Sequence, residues 1–139
     1  MAGSIVVTTE DLGSKITKYS VAWTSDAAGA VSGSTFPMKV GSLICVEFLP
    51  GSGGVQPSDA YDVDLMDAEG ITMFDNGAST SIGSNLSNLF GSHHVPLVGL
   101  TGVTIYRRWH HGGDVELDVA NAGNAKSGTV NVFVMEGVI

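Results

Sequence analysis

The sequence predicts an all-β fold: a sandwich, jelly roll or closed barrel of about eight or nine short strands. Three observations lead there. Nineteen glycines in 139 residues punctuate the chain with turns. Apolar residues make up 43% and charged residues only 14%, so Gly, Ser, Thr and Asn must form much of the surface. This is too apolar for a disordered chain. Finally, short apolar runs alternate with a period of two, at spacings of roughly ten residues, as half-buried strands do.

The elements follow in order. Ser4 to Thr9 (SIVVTT) is β-branched and ends before Gly13. Lys15 to Thr24 (KITKYSVAWT) puts Tyr19, Val21 and Trp23 on one face. Ser25 to Thr35 is small and polar, a loop or weak edge strand. Ser42 to Leu49 follows, with Ile44, Val46 and Phe48 expected on the core face. Pro50 stops it, and GSGGVQP is a wide loop. Tyr61 to Asp67 (YDVDLMD) points Tyr61, Val63 and Leu65 one way and Asp62 and Asp64 the other; AEG turns, and ITMF pairs back. Thr80 to Phe90 is the one helical candidate, with Ile82, Leu86, Leu89 and Phe90 as its apolar stripe and Ser79 or Ser81 as its cap. His94–Leu100, Val103–Trp109, Val115–Val119 and Thr129–Met135 complete the strands. No repeat or linker divides residues 1–139, which read as a single domain.

Charge narrows the partners. The formal net charge is −8, with six Lys and Arg. No basic surface large enough to neutralise phosphates is expected, so neither nucleic acid nor an anionic membrane is an expected partner. Cys45 is the only cysteine; an intrachain disulfide is impossible, and a small buried core side chain is the expected role. The N-terminus reads without a signal peptide and no run is long enough for a helical membrane span, so a reducing cytoplasm is the expected place of synthesis.

Three clusters could carry chemistry. Asp59, Asp62, Asp64 and Asp67 crowd into nine residues. On a strand Asp62 and Asp64 share a face, about 7 Å apart, as a calcium site or an acid–base pair needs. But DVDLMD lacks the EF-hand spacing, and the solvated side of a strand explains both residues, with their charge guarding against edge pairing. His93-His94 and His110-His111 are adjacent pairs. Neighbours on a strand point to opposite faces, so each pair offers one ligand at most to a site, and no HxH or HExxH accompanies them. Arg107, Arg108 and Trp109 form the one dense basic and aromatic cluster, a candidate partner contact; Val138 and Ile139 are a second, apolar one. There is no nucleophile elbow or phosphate-cradling loop before a helix. No cofactor, metal or catalysis is expected.

One segment carries a resemblance. Val46, Phe48, Pro50, Gly53, Gly54, Gln56, Pro57, Ser58, Tyr61, Asp62, Val63, Leu65, Asp67 and Gly70 spell V-x-F-x-P-x-x-G-G-x-Q-P-S-x-x-Y-D-V-x-L-x-D-x-x-G. This resembles a segment of small structural proteins encoded among tailed-phage head genes, and the length, acidity and β composition resemble their cement or decoration proteins. The resemblance implies a jelly-roll-like β-sandwich, here of about eight strands with one short helix. It implies no catalytic residues. Its implied partners are the major capsid protein and the chain itself, as homodimer or homotrimer, on the outer surface of a virion assembled in the host cytoplasm. Alternatives are another head or tail component, a carbohydrate-binding sandwich stacking sugars on Trp23, Tyr106 or Trp109 with calcium at Asp62 and Asp64, and a cupin-like metalloenzyme using the histidines.

Overall fold

In the computed structural model, residues 2–74, 82–95, 97–99, 105–107, 109–110 and 112–136 are described, the 97–99, 105–107 and 109 segments by backbone alone. The strands are β1 (Ser4–Gly13), β2 (Ile16–Thr24), β3 (Val31–Pro37), β4 (Gly41–Pro50), β5 (Asp62–Met66), β6 (Ser92–His94), β7 (Leu97–Gly99), β8 (Ile105–Arg107), β9 (Trp109–His110), β10 (Asp114–Ala120) and β11 (Ser127–Glu136). The larger sheet runs β1-β2-β11-β4-β6, with β9 also on β4; the smaller runs β3-β10-β5; β7 and β8 form a separate pair. Every pairing is antiparallel.

Advancing along the chain, β2, β4, β6 and β11 fall in the larger sheet and β3, β5 and β10 in the smaller. The orders β2-β11-β4-β6 and β3-β10-β5 are the winding of a jelly-roll sandwich, with β1 added at an edge. The inner faces meet in one core. Tyr19, Val21, Trp23, Val46, Phe48, Val130, Val132 and Val134 come from the larger sheet; Val31, Phe36, Val63, Leu65, Val115, Leu117 and Val119 come from the smaller. Aromatic pairs bridge the layers: Tyr19 to Phe36 at 6.1 Å, Trp23 to Tyr61 at 5.7 Å and Phe48 to Phe74 edge-on at 5.3 Å.

Several expectations change. Residues 82–90 form no helix. Their backbone instead bonds to the sheet side: Ile82 N–H donates to Phe74 O, Val63 N–H to Gly83 O, and Leu86 exchanges bonds with Tyr61 and Ala60. Ile82 and Leu86 pack inward while Leu89 and Phe90 stay exposed, so the apparent stripe is split. Of the two readings of Ser25–Thr35, the edge strand holds for its second half: β3 begins at Val31, runs on to Pro37 and lies at the edge of the smaller sheet. In β4 the core face is Leu43, Val46 and Phe48, with Ile44 only half-buried. A register shift against Phe133/Val134 resets the alternation there. That shift also puts Cys45 opposite Phe133, half-buried rather than in the core, and burial raises its thiol pKa.

Candidate functional site

The motif segment is built around the join between the two sheets. Val46, Phe48, Tyr61, Val63 and Leu65 are buried core. Between them the chain makes a 3-10 turn at Gly53–Val55 and is pinned to neighbouring loops. Gly51 N–H donates to Ser127 O (2.8 Å) and Ser58 N–H to Ala122 O (2.8 Å). Lys126 Nζ donates to Gly54 O (3.0 Å). Gln56 and Asn88 clamp each other's segments: Gln56 Nε2 donates to Asn88 O (2.9 Å) and Asn88 Nδ2 to Pro57 O (3.1 Å).

The aspartates divide into different roles. Asp62 accepts from Asn85 N–H (2.9 Å) through Oδ1 and from Asn121 Nδ2 (2.7 Å) through Oδ2. Both asparagines have left-handed backbones, φ 52° and 61°, which Asn tolerates better than most residues; one carboxylate staples two such corners. Asp67 closes a turn: its Oδ1 accepts from Glu69 N–H (3.0 Å) and Ile71 N–H (2.9 Å), and its carbonyl from Gly70 N–H (3.0 Å). The same device recurs at Asp26, whose Oδ1 accepts from Ala28 (2.8 Å) and Ala30 (2.9 Å) and whose carbonyl accepts from Gly29 (3.1 Å). The shared sequence is Asp-Ala-x-Gly, and the glycines at φ +83° and +79° occupy the left-handed position of the turn.

Asp64 lies directly opposite Asp118 in the β5–β10 ladder. They line a shallow groove of about 410 Å³ with Asp62, Ser84, Val31 and Ala120. Burial, then the neighbouring Glu116, raises the Asp118 carboxyl pKa. Glu116 itself accepts from Gly33 N–H (2.6 Å) at the bulge in β3. Among the described residues no Lys, Arg or His lines the groove. The arrangement is an acidic outer face on the smaller sheet.

The histidines are dispersed. His93 Nδ1 contacts Glu47 at 3.2 Å on the exposed side of β6. His94 turns the other way, its ring 5.6 Å from Phe48 and its Nε2 3.2 Å from Ser92 Oγ; burial, then His93, lowers its pKa. His110 is buried beside β4, which it meets at Gly41. His111 lies outside the described residues. Among the described residues, no group of three or more His, Cys, Asp or Glu side chains is arranged to hold a metal ion.

Of the expected partner contacts, Arg107 lies in β8 opposite Leu97, and Trp109 in β9 opposite Ser42. Arg108, Val138 and Ile139 lie outside the described residues. Trp23 is 2% exposed and cannot stack on a sugar.

What sequence reading missed is an apolar band on the larger sheet's outer face. Val6, Ala22, Thr129 and Leu49 form one cross-strand row, and a groove of about 260 Å³ runs along it beside Pro50 and Gly128. Gly91 lies against Leu49, and the two residues before it, Leu89 and Phe90, are 69% and 72% exposed. Among the described residues the charges on this face are Glu10, Lys18 and Glu47, the last in contact with His93. The signal was in the sequence as the outward alternates of β1 and β4, but only the sheet order shows that they share a row. No family model matches the chain, and no curated protein or solved structure matches it.

Proposed function

We propose that the chain is a structural virion protein, a cement or decoration protein that binds the outer surface of a tailed-phage head and strengthens contacts between major capsid subunits. The observation that carries the reading is the contrast between the two outer faces. The smaller sheet presents Asp62, Asp64, Glu116 and Asp118; the larger presents Val6 and Leu49, with Leu89 and Phe90 exposed in the segment leading into β6. A protein that docks by one face and stays solvated on the other has this distribution, since apolar residues exposed together on one face favour docking. The jelly-roll winding supports the reading, as does the motif segment, whose residues serve the join between the sheets. In this account the protein has no catalytic role and its partners are the major capsid protein and further copies of itself.

The test is co-sedimentation with empty expanded heads assembled from the major capsid protein encoded in the same genome. Saturable binding is expected, lost by Leu49→Lys and Phe90→Lys and kept by Asp64→Asn. Absence of binding by the folded wild-type chain, or loss with Asp64→Asn alone, would overturn the assignment.

A further inference from the structure

β1 is an edge strand unlike every other edge in the described molecule. It runs ten residues, Ser4–Gly13, and holds continuous register with β2 from Ser4 to Asp11. Among the described residues it pairs with β2 alone. Natural sheets keep their edges short, bulged or charged, because a free row of N–H and C=O groups templates another strand. The other edges here obey that rule. The far side of β4 is covered by β6 and β9, of three and two residues. β3 carries the bulge at Gly33. β5 has five residues, two of them Asp62 and Asp64.

From Ser4 to Thr9, β1 has no charge, no proline and no bulge. It is mostly β-branched, and Val6, Thr8 and Thr9 are exposed. Its charges, Glu10 and Asp11, are confined to the far end.

We propose that the free edge of β1 receives an extended, antiparallel strand from a different chain, uncharged opposite Ser4–Thr9 and basic opposite Glu10–Asp11. Main-chain hydrogen bonds supply the affinity of such strand addition and side-chain complementarity its choice of partner. Charge selects a foreign strand over a second copy. The chain carries −8 and has six Lys and Arg, none of them in β1; self-pairing of β1 brings Glu10 and Asp11 no counter-charge, whereas opposite charges facing across a ladder are favourable and like charges unfavourable. The inference stands on this edge alone. Peptide capture without head binding would sink the virion assignment and leave it intact.

The probe is the blocked peptide KRTVTVTS, with EETVTVTS as control, titrated into the ¹⁵N-labelled chain by NMR at low salt. Shifts confined to β1 are expected for the basic peptide, with the acidic one about tenfold weaker and the gap narrowing as salt screens the charges. Glu10→Lys leaves only Asp11 acidic and should erase most of the preference. Val7→Pro and Thr8→Pro form a second arm: one of two successive amides points to β2 and the other to the free edge, so the variant that remains folded must lose the peptide. Three results would overturn the proposal: no shift in β1 with either peptide, unchanged preference in Glu10→Lys, or binding by the folded proline variant. A β1-dependent dimer of the chain alone in sedimentation equilibrium, dissociated by that proline, would also overturn it, because the occupant would then be a second copy.

Discussion

Asp62→Ala separates a carboxylate that holds shape from one that holds a ligand. Asp62 is the single acceptor for Asn85 N–H at 2.9 Å and Asn121 Nδ2 at 2.7 Å, and those residues anchor the segment before Leu86 and the turn after β10. Both bonds are at the surface, where water replaces a lost partner, so each is worth the low end of the usual range, about 0.5–1 kcal/mol. Losing both, and releasing two left-handed corners, should cost about 1–2 kcal/mol. For a domain of this length that lowers Tm by roughly 3–8 °C. Asp59→Ala, on an exposed loop residue, should change stability by less than about 0.5 kcal/mol. Thermal unfolding by circular dichroism, with and without millimolar calcium, measures all three proteins. Binding only to the folded state would raise Tm, and above Kd the rise would grow with the logarithm of the calcium concentration. The structural reasoning is refuted if Asp62→Ala melts with the wild type, or if calcium raises the wild-type Tm and Asp62→Ala abolishes the rise.

Other expectations follow from the same geometry. Gly128→Ala places a Cβ 2.6 Å from Trp23 Cζ2 and 2.9 Å from Leu49 O; the ring must shift against Tyr61, so denaturant unfolding should show a loss of about 1–3 kcal/mol. Ala60 sits at φ 61°, and Ala60→Gly should stabilise by up to about 1 kcal/mol by removing left-handed strain. The lowered His94 pKa means the unfolded chain binds that proton more tightly. Stability is therefore full above the ordinary value of 6.5 and declines as pH falls through the folded value; His94→Gln should flatten that limb in pH-dependent melts. Asp118 has the opposite sign. Its raised pKa gives a contribution present below 3.8 and lost as pH rises through the folded value, so Asp118→Asn should melt higher than wild type at pH 7 and show no such gain at pH 3.

The alternation of Tyr19-Val21-Trp23, Tyr61-Val63-Leu65 and Val130-Val132-Val134 was legible because one face of each strand is buried and the other wet. Those residues are 0–3% exposed. Ile44 was misassigned because a bulge is a two-strand property: nothing local in SLICVEF shows that its partner slips at Phe133. The helix expected at Thr80–Phe90 is absent from the described residues 82–90, whose apolar spacing serves two purposes. Ile82 and Leu86 pack on the core, while Leu89 and Phe90 face out. Ser25–Thr35 reads as a loop or a weak edge strand because its small residues carry little apolar signal, and β3 takes up only its second half before running on through Phe36. Asp26 and Asp67 were readable in principle, since both head the same Asp-Ala-x-Gly turn. The apolar band was not, because Val6 and Leu49 are far apart in sequence and meet only through the order β1-β2-β11-β4.

Cryo-electron microscopy of the expanded heads, with and without the added chain, tests the capsid assignment most directly. New density is expected on the outer surface, bridging major capsid subunits, with the Val6–Leu49 side against the shell and the Asp64–Asp118 side toward solvent. Heads that gain no density, or density confined to the portal or tail, would contradict it.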